Sequence, residues 1–392
     1  VLKQPTTQVL AFLGLHNLAQ SRRQPKGEGG TLISMADCQN VQLDDEGGVS
    51  SRDGNTLAMP TIGITAAFNI ESFQYAYVVD NGTLKRVNKD LSTQDIGTVS
   101  TQHTEWLEIG TRIFMSTGYL IDNNVLMPWE TPVPVQPDII IGTGYLAAGQ
   151  YQLTITSISQ DGRESGSCEV VALNLADNSG LTLVGTQNCV VYMTPLNGSV
   201  FYEVGIGVTV IDSIAQLTEK SINQQILITQ SVPPVVDKIA YYNECIHCSV
   251  YDKPTNSSSI FFSKPLLFNV FDWFNDVISD IAGEIRLLHG MPEGLLIGTD
   301  REILLYNTDS GITKLAGYGV ASGKPLTKNR DGQILFQSLR GVCTMPFKNL
   351  TGDKFTAPLG GECSTAMLDS SGTELFVTIT DGLGQTSDST DF

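Results

Sequence analysis

Cys245-Ile246-His247-Cys248 brings two thiols and an imidazole within four residues, the C-x2-C spacing of a zinc knuckle. A structural zinc site needs four ligands, and no second Cys or His pair follows at a comparable interval, so these side chains read as packed core groups. Gly317-Tyr318-Gly319-Val320-Ala321-Ser322-Gly323-Lys324-Pro325 invites a phosphate loop. It has five residues between Gly317 and Gly323 where four are required, and Pro325 stands where a magnesium-binding hydroxyl belongs. His16, His103, His247 and His289 are the only histidines, and none has a nucleophile in a G-x-S-x-G setting. Asp44-Asp45-Glu46-Gly47-Gly48 lacks the alternating oxygen ligands of a calcium loop and reads as a solvated turn. The chain is expected to hold no metal or other cofactor and to have no catalytic residues.

Carbohydrate chemistry is the remaining enzymatic option. Asn307-Thr308-Asp309-Ser310-Gly311-Ile312-Thr313-Lys314 resembles the Asp-box of sialidase-like propellers, with Asn at the front and Lys at the end. That box is a structural turn, and hydrolysis of a sialoside also needs convergent arginines. Here Arg112, Arg163, Arg286, Arg301, Arg330 and Arg340 are scattered. The aromatic cluster Phe268, Phe271, Trp273 and Phe274 would suit a sugar-stacking platform, but large rings more often fill the space between packed sheets. Packing between sheets is the role expected of all four.

The elements that must position these residues are strands. Period-2 alternation dominates the chain, and typical strand runs are Tyr75–Val79, Arg112–Ser116, Tyr151–Thr156, Gly294–Gly298, Gln333–Gln337 and Glu374–Ile379. Between such runs lie Asp80-Asn81-Gly82, Asp122-Asn123-Asn124, Asp161-Gly162, Asn197-Gly198, Asp331-Gly332 and Asp381-Gly382, residues that supply the positive φ of hairpin turns. A short helix is expected only within Ser213–Glu219 or Phe271–Asp280. With 38 glycines in 392 residues and 16% charged residues, the composition also suits short strands joined by tight turns. Seven cysteines, an odd number spread thinly, are expected to be free and mostly buried.

The net charge is −18, from 23 Lys and Arg against 41 Asp and Glu, which disfavours a protein that grips nucleic acid by neutralising phosphates. No apolar run approaches the roughly 18 residues of a membrane-spanning helix, and Val9–Leu15 lacks the flanks of a secretory signal. The chain reads as soluble, non-secretory and without membrane insertion.

A strand–turn–strand pattern recurs at Gly82–Val87 and Gly118–Ile121, and again at Glu302–Tyr306 and Gly341–Met345. These intervals fit the roughly 40–50 residues of a four-stranded propeller blade. Prolines 128, 132, 134 and 137 open a break in that period and Pro233-Pro234 closes it. The resulting expectation is all-β: an N-terminal arm and first strands (1–56), propeller blades (57–136), an inserted β-sandwich (137–232), and further blades with closure (233–392), about five or six blades in all. The insertion resembles fibronectin type III domains in its strand, Asp161-Gly162-Arg163-Glu164-Ser165 turn and following strand. Closure is expected where a strand within Thr7–Leu15 or Leu57–Ala67 joins Glu374–Thr380, with Leu375, Val377 and Ile379 on one face.

Gly14-Leu15-His16-Asn17, followed by Ser34–Gly54 with its Asn40-Val41 segment, Asp-rich turn and Arg52-Asp53-Gly54, resembles the opening of tail nozzle or tail hub proteins of short-tailed bacteriophages. His16 before a single Asn17, and Ser51-Arg52-Asp53-Gly54 in place of an arginine run, depart from that pattern. Tyr192–Gly198, Ile260–Pro265 leading to Phe271-Asp272-Trp273, and Leu295–Ile303 extend the likeness. The resemblance implies a non-enzymatic virion tail protein, a propeller with inserted β-domains that forms a cyclic ring, a hexamer by expectation. Its implied partners are further copies of itself, the head-to-tail adaptor below the portal and other tail proteins. Phage DNA passes without sequence-specific binding, and an acidic lumen would keep it from adhering. A carbohydrate- or receptor-binding tail propeller and a sialidase-like hydrolase are the alternatives.

Overall fold

The computed structural model describes residues 41–43, 49–51, 63–70, 74–102, 104–233, 235–352, 362–370 and 373–380. Regular structure among them is all β, apart from two single turns of 3-10 helix at Ile214–Gln216 and Gln224–Ile226. The chain forms two compact units: Thr61–Ala282 with Leu288–Glu293, and Val1–Pro60 with Gly283–Leu287 and Gly294–Phe392. Strands β1 (Val41–Leu43) and β2 (Val49–Ser51), in the second of these, form an antiparallel pair.

The larger unit begins with an antiparallel meander of β3 (Ile64–Asn69), β4 (Tyr75–Asp80), β5 (Thr83–Asn88) and β6 (Thr93–Thr98), followed by another of β7 (Trp106–Ile109), β8 (Arg112–Met115), β9 (Tyr119–Asp122) and β10 (Val125–Pro128). Asn81 and Gly82, both at positive φ, make the two-residue turn between the paired Asp80 and Thr83. Asn123 and Asn124 do the same between Asp122 and Val125. These left-handed pairs match the twist of the strands they join.

Alternation gives each strand two working faces. Ile113, Met115 and Ile121 pack with Tyr77, Val79 and Leu84 of the first meander, whereas their neighbours Phe114 and Leu120 pack with Trp129, Ile239, Ile246 and Phe271. The second meander is thereby buried on both sides. The latter partners belong to or adjoin a third meander, β19 (Lys238–Tyr242), β20 (Cys245–Asp252), β21 (Ser257–Lys264) and β22 (Leu267–Phe271), with β23 (Val277–Ala282) also paired to β21.

Between the second and third meanders lie two sheets. One orders β11 (Asp138–Leu146), β15 (Ser179–Val184) and β18 (Val210–Ile211). The other contains β12 (Gly149–Ile158), β13 (Glu164–Ser167), β14 (Val171–Leu175), β16 (Cys189–Met193) and β17 (Tyr202–Ile206), with β12 bonded to β13, β14 and β16. Leu146, Leu181, Leu183 and Ile211 from the first share a core with Leu153, Ile155, Val191 and Met193 from the second. All five residues of β16 are buried, because Val190 and Tyr192 on its other face pack with Phe201, Ile222, Ile226 and Val270 of β22.

The smaller unit holds β25 (Gly294–Thr299), β26 (Ile303–Asn307) and β27 (Gly311–Ala316), in a four-stranded sheet with β24 (Ile285–Met291). Another meander is β29 (Leu326–Lys328), β30 (Ile334–Ser338), β31 (Gly341–Thr344) and β32 (Lys348–Asn349). A third sheet orders β28 (Ser322–Lys324), β33 (Glu362–Ser370) and β34 (Thr373–Thr380), in which β28 and β33 run parallel.

The expected helix reduces to one 3-10 turn, Ile214–Gln216, capped reciprocally by Ser213 and Gln216. Phe271–Asp280 has no helix. The Asp272 carboxylate accepts from the amides of Phe274 and Asn275, which closes a side-chain turn, and the β-branched Val277 and Ile278 then pair with β21.

Arg163, in the turn between β12 and β13, donates to the carbonyls of Trp129 and Pro128 while Asp161 holds its Nε. Replacing it removes three charge-assisted bonds and leaves a carbonyl of the buried Trp129 without that donor. Arg163→Ala is expected to cost about 2–3 kcal/mol in urea unfolding and to expose residues 128–137 to limited proteolysis. An unchanged midpoint with an unchanged cleavage pattern would show that the two-sheet module needs no such tie.

Candidate functional site

The aromatic cluster is the densest group of sequence-selected residues in the described structure. Phe268 and Phe271 lie on β22, with Trp273 and Phe274 in the turn that follows. Phe271 is fully buried, 6.5 Å from the Trp129 ring, and Phe268 meets Phe114 edge-on at 5.7 Å and Tyr241 at 6.0 Å. Trp273 packs on Phe261 and donates its indole N–H to the Ser231 carbonyl at 3.0 Å. These three rings are committed to packing. Phe274 differs from the expectation, being 82% exposed. The Asp272 turn that fixes its amide directs the chain away from the sheet, and Lys264 pairs with both Asp272 and Asp276 to hold that turn. Hydrogen bonds from Asn275 and the Lys264 charge keep the Asp272 carboxyl below its usual range, against the opposing effect of burial.

Cys245 and Cys248 sit three residues apart on β20, so alternation sends them to opposite faces of the sheet, where they cannot ligate one ion. Among the described residues no group of His, Cys, Asp or Glu is arranged to hold a metal. Cys168, Cys189, Cys248, Cys343 and Cys363 are buried free thiols and Cys245 is a half-buried one; Cys38 lies outside the described residues. Burial raises the Cys245 thiol to about 11 and pushes Cys248 higher still, so neither is a ready nucleophile. His247 is buried between the rings of Tyr242 and Phe262, and loss of hydration pushes its pKa down to about 4.

The remaining motifs are built into turns and close contacts. Asn307 Oδ1 accepts from the Asp309 amide within the turn joining β26 to β27. A side chain at Gly319 would meet the Asp300 backbone at 2.2 Å, so this glycine serves backbone packing in the phosphate-loop look-alike. Arg112, Arg163, Arg286 and Arg301 each pair with a carboxylate close in sequence. His16, His103, Asp44-Asp45-Glu46, Thr7–Leu15 and most of Ser34–Gly54 lie outside the described residues. Of the closure residues, Leu375, Val377 and Ile379 stand level with Leu368, Ala366 and Ser364 of β33, while β3 pairs with β4.

No family model matches the chain, and no curated protein matches it. Among solved structures, the extracellular domain of a one component system from B. thetaiotaomicron is similar at 13% identity and a TM-score of 0.32, over 76% of this chain and 34% of that one. Dipeptidyl peptidase 4 from Porphyromonas gingivalis is similar at 11% identity and 0.28, over 83% and 52%. PorZ, a surface component of the type-IX secretion system of the same organism, stands at 12% and 0.25, over 90% and 57%. The chain thus spans about a third to somewhat over half of their lengths. The all-β class stands on the strand pairing itself.

Two outcomes follow from the geometry. Phe271→Ala is expected to cost about 3–5 kcal/mol in urea unfolding and Phe274→Ala no more than about 0.5, a contrast that vanishes if both rings pack alike. His247 has a folded pKa below its unfolded value, so the neutral ring contributes stability that is fully present above about pH 6.5 and is lost as pH falls towards 4. The native protein should lose about 1.4 kcal/mol per pH unit in that window relative to His247→Phe, measured by denaturant midpoints at stepped pH.

Proposed function

We propose that this chain is a non-enzymatic structural protein of a phage tail, a nozzle subunit that assembles with copies of itself into a cyclic ring. The observation that carries the reading is the chain-order run of antiparallel meanders, four of them four-stranded and the third, with β23, five-stranded, with a two-sheet module set between the second and third. Five such meanders suit a propeller of five or six blades, and the two sheets that share one core suit a fibronectin type III-like insertion. Tyr192 and Phe271 of the phage-like motifs lie where that insertion meets β22, Tyr192 packing with Val270 and Phe271 bridging to Gln230, which fits a role in building the subunit. The net charge of −18 suits a conduit past which DNA slides.

A carbohydrate-binding reading needs ring faces open to solvent, and within the aromatic cluster Phe274 alone is exposed. The test is native mass spectrometry with electron microscopy of the purified full chain, combined with a DNA mobility-shift assay at physiological salt. Closed cyclic rings that do not retard duplex DNA are expected. A chain that stays monomeric at high concentration and turns over a sialoside, or binds host polysaccharide with saturable heat, would replace the nozzle reading by one of the alternatives.

A further inference from the structure

Among the described residues several strands of the two-sheet module pair along one side only, β11 and β14 among them. Among the described residues β11 pairs along one side with β15, and β14 pairs along one side with β12. Long edge strands are normally blunted by lysine, proline or a covering loop. Here Ile139–Leu146 has no charge and no proline, and Asp138 is the single charged residue in all of β11, β15 and β18. Ile140, Val184 and Val210 share the outer face of that sheet at 59%, 52% and 50% exposure, and Tyr145 near the end of β11 is 81% exposed. Strand β14, Val171–Leu175, is also uncharged.

We infer that β11 of one copy pairs with β14 of the next, an edge-to-edge antiparallel contact that joins copies head to tail. This rests on the ring reading above and names the surface through which the ring forms. Two observations make the occupant a second copy of this chain. A molecule with net charge −18 repels its own kind over most of its surface, so copies meet at least cost where carboxylates are few; β14 has none and β11 has only Asp138, at its first position. One module also offers different one-sided edges on its two sheets, the donor and acceptor that a heterologous contact requires.

The side-chain alternation fits. Ile139 packs against the module's core, as do Leu173 and Leu175. A register placing Leu175 beside Ile139 and Leu173 beside Ile141 keeps core-side residues on one face, with Asn174 beside Ile140 on the other. A five-residue ladder is small beside the roughly 1,200–2,000 Å² of a stable interface, so each contact is weak alone and gains strength when the ring closes.

The test uses the full chain carrying Ile140→Cys and Asn174→Cys, singly and together, under mild oxidation. Paired strands bring Cα atoms to about 4.5–5.5 Å, within reach of a disulfide. The double variant is expected to give a ladder of covalent multimers ending at the ring size, neither single variant links above the wild-type background, and a mixture of the two gives dimers. Ile140→Lys, at an exposed position, should lower the ring fraction roughly tenfold at an unchanged thermal midpoint. Self-linking of the Ile140→Cys variant would mean a two-fold contact and overturn the head-to-tail assignment. Rings that persist without linkage would overturn this contact and leave the nozzle reading standing, whereas a wild-type chain that forms no rings removes both.

Discussion

The buried indole of Trp129 is the contact on which the larger unit depends. Its amide donates to the Gly118 carbonyl and its ring meets Phe114, both in the second meander. Its N–H bonds to the Phe268 carbonyl and its face meets Phe271, both in the third. Its own carbonyl accepts from Arg163 of the two-sheet module. One residue therefore satisfies the polar groups at a three-way junction while filling it with a large apolar body, which few side chains can do. Nearby ties from the module follow the same logic: Asn269 donates to the Glu164 carbonyl, and Ser167 accepts from the Ile228 amide.

Around that junction, stability comes from using both faces of short strands. A four-stranded sheet exposed on one side would bury only half of its alternating residues. Here the second meander gives Ile113 and Met115 to one neighbour and Phe114 to the other, and β16 divides Val191 from Val190 and Tyr192 in the same way. Tyr192 and Thr156, both buried, donate their hydroxyls to the Glu164 carboxylate. Burial and that neighbouring charge raise the Tyr192 pKa far above the ordinary phenol. The Tyr192 phenol is thus held in its neutral form for packing.

The charge pattern follows from the same economy. Cations pair with nearby carboxylates, as in Lys85–Asp80, Lys238–Glu105 and Lys314–Glu302, while the chain as a whole carries 41 acidic residues against 23 basic ones. Where a partner is exposed, as Lys314 is, such a pair adds little stability.

What the amino-acid sequence determined by itself is local. Period-2 alternation set the strands, and Asn81-Gly82 and Asn123-Asn124 set their turns, because φ preference and side-chain direction act over two to four residues. The free thiols were legible for a similar reason, since seven cysteines in a chain of this size need no pairing. Tertiary structure decided the rest. Phe271 and Phe274 are the same residue type three positions apart, yet one is buried and the other exposed, because an Asp272 side-chain turn intervenes and register with Ser263 fixes only the first. The same turn replaced a helix that spacing alone allowed. That β16 is covered on both faces, and that β11 and β14 pair along one side only among the described residues, depends on which strands return to pair with them from tens of residues away. Such pairings are chosen by the summed burial of distant faces, a quantity no local run of sequence contains.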